Sequence, residues 1–194
     1  MSDSPFGIHH DERTAVFIDG PNLYSAAKAV SFDIDYKKLL THFKDQSRFI
    51  RAYYYTTVIP KSEESDDYSP LRPLIDYLQY NGYSMVTKPM KEFVDEATGL
   101  RRQKASMSIE ITVDMVLLAD HLDHIVLFSG DGDFRRPIEV IQAKGTRVTV
   151  VSSMKNGQSV VSDDLRRQAD CFIELAELRD VIERHDQRRS ISRA

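Results

Sequence analysis

The sequence has one cysteine, Cys171, no tryptophan, and no run of about 18 apolar residues. A single cysteine excludes a disulfide framework within the chain, and a reducing cytoplasm fits. Without an apolar run of that length, no helix is expected to span a membrane. The first residues, 1–13, are polar and include His9, His10, Asp11 and Glu12, so they lack the apolar core of a secretory signal. Basic residues are not in excess either: 26 Lys and Arg against 30 Asp and Glu leave a formal charge of -4. That argues against a nucleic-acid coat, which would be basic overall. An enzyme with a local basic patch is still compatible.

What is present suits one domain: 194 residues, 41% hydrophobic and 29% charged. Residues 1–12 read as a flexible N-terminus, 13–178 as the folded domain, and 179–194 as a helix end with a charged tail. Residues 14–18 (TAVFI) form a short apolar run that reads as a buried strand. Pro21 opens a helix over 22–30, and a second helix follows over 35–44. Aromatic and β-favouring residues make 49–57 a strand. After a charged loop at 61–69 come a helix at 71–80, stopped by Asn81 and Gly82, and a strand at 83–88. The polar segment 89–104, with Thr98 and Gly99 at its tip, reads as an irregular loop or a small hairpin. Residues 107–122 form a strongly apolar helix expected to be buried on more than one face. Residues 124–128 are a strand, 129–133 (SGDGD) a tight turn, and 134–144 a helix capped by Gly145. A strand at 146–152, a helical stretch at 159–168, a short strand at 171–173 and a helix at 174–185 complete the pattern. Helices alternating with nearly continuous apolar strands imply an α/β fold with a mostly parallel sheet covered on both faces.

Two acidic motifs fall at strand ends, Phe17-Ile18-Asp19-Gly20-Pro21-Asn22 and Ser129-Gly130-Asp131-Gly132-Asp133-Phe134. In open parallel sheets ligands bind beyond the carboxyl ends of the strands, where the strand order switches. If the two strands are neighbours, Asp19, Asp131 and Asp133 project into one small volume. Clustered carboxylates repel unless a cation offsets them. Oxygen ligands without His or Cys favour Mg2+ or Mn2+ over zinc. Such ions hold a scissile phosphate and activate water. The competing reading is ordinary: Asp-Gly pairs after strands make turns, and Asp133 suffices as a helix cap. Asp114 is a further candidate ligand, since an Asp on an apolar helix face needs a partner, whether metal, lysine or backbone donor.

These residues resemble the NYN-domain family, the LabA-like proteins of the PIN-like nuclease superfamily. FIDGPN and SGDGDF carry the resemblance in that order, supported by RPLIDYLQYNGY, TKP and DDLRRQAD. It covers about residues 13 to 178. It implies a three-layer α/β/α PIN-like fold, a Mg2+ or Mn2+ cofactor, and RNA as partner and substrate. On it, Asp19, Asp131 and Asp133 match the acidic site and Asn22 its polar partner. One segment departs: where the family carries Asn and Asp at a helix start, this chain has Ser106 and Ser108. Ser108 thus stands at an expected carboxylate, and Glu110, two residues on and about 200° around the helix, does not substitute for it.

Basic residues supply a candidate RNA surface: Lys88 and Lys104 around the segment after the third strand, Arg135 and Arg136 directly after SGDGDF. Arg166 and Arg167 are weaker candidates. The alternative is a solvated charged rim. His121 and His124 read as structural, and SGDGDF lacks the Lys and Ser/Thr of a nucleotide P-loop. The leading expectation is a metal-dependent ribonuclease that uses Asp19, Asp131, Asp133 and Asn22, with Asp19, Asp114, Asp131 and Asp133 as the metal set. The second is an inactive or weakly active RNA-binding regulator, prompted by Ser108. A phosphatase-like enzyme is third. A homodimer through a sheet edge or the 174–185 helix is left open.

Overall fold

The computed structural model describes residues 5–58, 70–94, 101–104, 106–154 and 161–184. The chain order is β1 (Arg13–Asp19), α1 (Gly20–Val30), α2 (Tyr36–Gln46), β2 (Arg48–Val58), α3 (Arg72–Tyr80) and β3 (Ser84–Pro89). A hairpin follows, β4 (Lys91–Val94) and β5 (Arg101–Lys104), then α4 (Ser108–Leu118), β6 (His124–Phe128), α5 (Arg135–Ala143) and β7 (Arg147–Ser152). The last elements are α6 (Asp163–Gln168), β8 (Cys171–Glu174) and α7 (Arg179–Ile182). The segment after β3 is therefore a hairpin; its expected tip at Thr98 and Gly99, the 61–69 loop and the 186–194 tail lie outside the described residues.

Six strands form one sheet in the order β3-β2-β1-β6-β7-β8, every neighbouring pair parallel. From β1 the chain builds outward through β2 and β3; from β6 it builds the other way through β7 and β8. The order therefore switches between β1 and β6, where Ile18 registers with Phe128. β1 is apolar almost throughout because both of its faces are covered. Val16 and Ile18 join one core with Leu23, Leu39, Phe43 and Leu78, under α1, α2 and α3. Ala15 and Phe17 join the other with Ile111, Met115, Ile138 and Leu165, under α4, α5 and α6. This is the three-layer α/β/α PIN-like arrangement anticipated from the sequence. Among the described residues, no helix is long and apolar enough to cross a membrane.

Four local expectations need revision. Residues 5–12 pack against the domain: Phe6 is fully buried, 4.6 Å from the Phe43 ring, and the Glu12 carboxylate accepts from Arg147 Nη2 at 2.8 Å. The fold also runs past 178, because Ile182 is buried and its carbonyl accepts from Asp35 N at 2.7 Å. The expected 174–185 helix is instead the end of β8, a 3-10 turn (Leu175–Leu178) and the four-residue α7. Leu175, Leu178 and Ile182 point inward along that broken path. Finally, α4 buries only one face: Ile111 and Met115 are in the core, while Ile109, Val113 and Leu117 are exposed.

His124 is structural, as expected. It is fully buried with Nε2 2.8 Å from Thr149 Oγ1, and burial, aided by the Arg147 charge, lowers its pKa to about 4.

Phe6→Ala should lower the unfolding free energy by roughly 3–5 kcal/mol, because it empties a buried aromatic site. Urea denaturation followed by far-UV circular dichroism measures this; a loss well under 1 kcal/mol would show that residues 5–12 do not belong to the folded domain.

Candidate functional site

The switch point sets β1 and β6 side by side, and an Asp at the end of one and just past the end of the other turns the chain. Asp19 closes β1 and caps α1, accepting from Asn22 N at 3.4 Å. Gly20 follows because nothing larger fits: a Cβ there would sit 2.7 Å from a ring carbon of the buried Tyr54. Asp131 caps the 3-10 turn Gly132–Phe134, its Oδ1 accepting from Asp133 N at 3.0 Å.

Ser129 links the Asp19 carboxylate to the backbone of Asp131. Its hydroxyl donates to Asp19 Oδ2 at 3.0 Å and accepts from Asp131 N at 3.2 Å. Asn22 adds a second tie across the strands, its Oδ1 accepting from Gly130 N at 2.8 Å. From α4, the Ser108 hydroxyl donates to Asp131 Oδ2 at 2.9 Å and lies 2.9 Å from Ser106 Oγ. Asp19, Asn22, Ser25, Thr57, Ser108 and Asp131 line a cavity of about 290 Å³ at this edge. Burial, reinforced by the Asp131 charge, raises the Asp19 pKa above the ordinary carboxylate range despite its hydrogen bonds from Ser129 and Asn22.

The other sequence candidates are placed differently. Asp133 is exposed on the outer side of its turn and does not line the cavity. Asp114 receives the Tyr55 hydroxyl at 2.8 Å and also lies outside the lining. Its partner on the apolar face is thus a tyrosine from β2. Burial and this bond push the Tyr55 hydroxyl pKa up. Among the described residues, no three or more His, Cys, Asp or Glu side chains are grouped to hold a metal ion. The cavity brings together the pair Asp19 and Asp131 rather than three or four carboxylates. Lys88 is tied to Glu110 by bonds of 2.9 and 3.0 Å. Lys104 registers with Lys91 across the hairpin. Arg135 and Arg136 are exposed within two turns of Asp131, and Arg136 pairs with Glu139 at 2.9 Å.

Sequence reasoning passed over Ser129, Ser25 and Thr57. Ser129 carried one usable signal: a hydroxyl at the last position before an Asp turn can bond the backbone two residues on.

The donor chemistry fits a hard divalent cation. Two carboxylates, hydroxyls and an amide surround the cavity, with no imidazole or thiolate among its lining residues. Mg2+ commonly takes one or two protein carboxylates and keeps several waters.

The Asp19 shift gives a signed expectation in chelator. A carboxyl raised above its unfolded value contributes stability fully below the unfolded pKa, near 3.8, and loses it as pH rises through the folded pKa. Asp19→Asn should therefore remove a component of stability loss on going from acidic to neutral pH. Urea midpoints measured across that range in EDTA should fall less steeply for the variant; parallel curves would contradict the electrostatic account.

The sequence profile of the NYN domain matches residues 13–177. The chain is 36% identical over 178 residues to the low amplitude and bright protein LabA of Synechococcus elongatus, covering 90% of each chain. It also superposes with a TM-score of 0.68 on a crystal structure of a protein of unknown function from Vibrio parahaemolyticus. That pair is 26% identical and covers 89% of this chain and 97% of the other. With the motif-bearing strand ends, the switch-point cavity and a profile match spanning nearly the whole folded domain, the chain belongs to the NYN domain family and is LabA-like within it.

Proposed function

We propose that this NYN domain is a ribonuclease that hydrolyses RNA phosphodiester bonds at the Asp19–Asp131 cavity with Mg2+ or Mn2+. The observation that carries the reading is the carboxylate pair. Two acidic side chains from beyond neighbouring strand ends line one cavity, Ser129 tying the Asp19 carboxylate to the Asp131 backbone, and the lining carries hydroxyls and an amide but no imidazole or thiolate. Asp19 and Asp131 would hold the cation, which supplies charge stabilisation at the scissile phosphate and an activated water.

The chain's own residues do the positioning. Ser129 fixes the Asp19 carboxylate, and the Asp133 amide and Ser108 hydroxyl fix the two oxygens of Asp131. Because the Asn22 carbonyl oxygen is held by Gly130 N, its Nδ2 is the end available to donate to a phosphate oxygen. Arg135, exposed one turn beyond Asp131, is positioned to steady the phosphate backbone. A reducing cytoplasm is the proposed location, consistent with the lone cysteine.

A second reading has its own observation. Ser108, where the resemblance leads one to expect a carboxylate, contacts Asp131 directly. A neutral hydroxyl holds a divalent ion less strongly, which favours an RNA-binding regulator with weak or absent cleavage.

Labelled single-stranded and structured RNAs, incubated with Mg2+, Mn2+ or EDTA, separate the two. Native protein should cut with metal and lose at least a hundredfold in rate as Asp131→Asn, in line with the cost of removing one electrostatic group at a reacting phosphate. Cutting confined to Ser108→Asp would establish the regulator reading. Metal-independent cutting that Asp131→Asn leaves unchanged would refute both.

A further inference from the structure

Helix α1 leaves the cavity with one covered and one open face. Leu23, Ala26, Ala27 and Val30 are buried. At about 100° per residue, Pro21, Tyr24, Ser25 and Lys28 share the opposite arc, and all four are exposed. Pro21 and Ser25 line the cavity that holds Asp19 and Asp131. Tyr24 and Lys28 line a second cavity, about 310 Å³, with Ser31, Phe32 and Asp33 just beyond the far end of the same helix. The two cavities are thus joined by a single helix face that carries a bare aromatic ring and a cation.

Tyr24 is 68% exposed, a large apolar surface for a residue so near a polar cleft. α1 has no acidic residue of its own, and Asp33 is the acidic residue among those lining the second cavity. Lys28 lies one turn beyond Tyr24, and no hydrogen bond or ion pair within the described residues engages its ammonium group.

The geometry points to a subsite for unpaired RNA along α1: a base stacks on the Tyr24 ring, and the neighbouring phosphate is held by Lys28 while the strand enters the Asp19–Asp131 cavity. This inference rests on the RNA reading of that cavity and narrows its substrate to single strands. Stacking on a protein ring requires a base free of its own helix, which a duplex does not provide. Recognition of a duplex instead depends on broad contacts with two successive minor grooves and their phosphates.

Binding tests this apart from cleavage. In an Asp131→Asn background, fluorescence anisotropy compares a labelled 12-nucleotide oligouridylate with an RNA duplex of the same length. Tyr24→Ala should weaken single-strand binding about tenfold, the lower part of the range for one base stacked on an aromatic side chain. Tyr24→Phe, which keeps the ring, should bind within about twofold of the parent, since stacking needs only the aromatic face. Lys28→Ala should weaken binding and flatten its salt dependence. Tyr80→Ala, at a ring 92% exposed on α3, should leave binding unchanged. Unchanged affinity in Tyr24→Ala, or equal affinity for the duplex, overturns the subsite while leaving the RNA reading intact. No RNA binding by either the native chain or the parent variant overturns the RNA reading itself.

Discussion

Two carboxylates beside each other at a half-buried sheet edge are the constraint around which this domain is arranged. Asp19 and Asp131 are there because β1 and β6 are neighbours and the strand order switches between them. Burial raises the Asp19 pKa, and the like charge of Asp131 adds to it. The fold answers with directed donors: Ser129 and the Asn22 amide on Asp19, Ser108 and the Asp133 amide on Asp131. Close packing around the pair leaves little freedom. Gly20 lies against Tyr54 where a side chain would collide, and a Cβ on Gly132 would come within 2.9 Å of Ser162 Oγ.

That arrangement bears on chemistry as much as on stability. Hydrogen bonds to every oxygen of the two carboxylates offset part of their mutual repulsion, and each oxygen keeps a further lone pair. Ser108 tunes the balance. A hydroxyl satisfies Asp131 and adds no charge, so it lowers the repulsion that a third carboxylate would create and lowers the attraction for a cation in the same step. α1 extends the cleft outward, with Asn22 at its first turn facing the carboxylates and Tyr24 and Lys28 on the open face behind.

The parallel sheet and the two motif-bearing strands were legible in the sequence because apolar runs ending in Asp are local patterns. Asp19 and Asp131 came with them, and the places of Asn22 and Ser108 were reached through the family resemblance. Side-chain direction inside a short turn was not legible: Asp131 caps the 3-10 turn and faces inward, while Asp133, two residues on, is exposed. The Asp114–Tyr55 bond joins residues 59 positions apart, which no local pattern announces. Phe6 is a single aromatic in a polar stretch, and its burial depends on Phe43 and Phe128 from distant elements. Leu175, Leu178 and Ile182 have spacings that a regular helix would also bury, so their broken path was read as one helix.

If Asp19 and Asp131 jointly hold a hard cation, removing either carboxylate must release it. Titration of Mn2+ into metal-free protein, followed by electron paramagnetic resonance of the free ion, tests it most directly. Binding should be saturable in the native chain, lost in both Asp19→Asn and Asp131→Asn and tightened in Ser108→Asp. Equal binding by the native chain and the two Asn variants, or no binding by the native chain and Ser108→Asp alike, would contradict it.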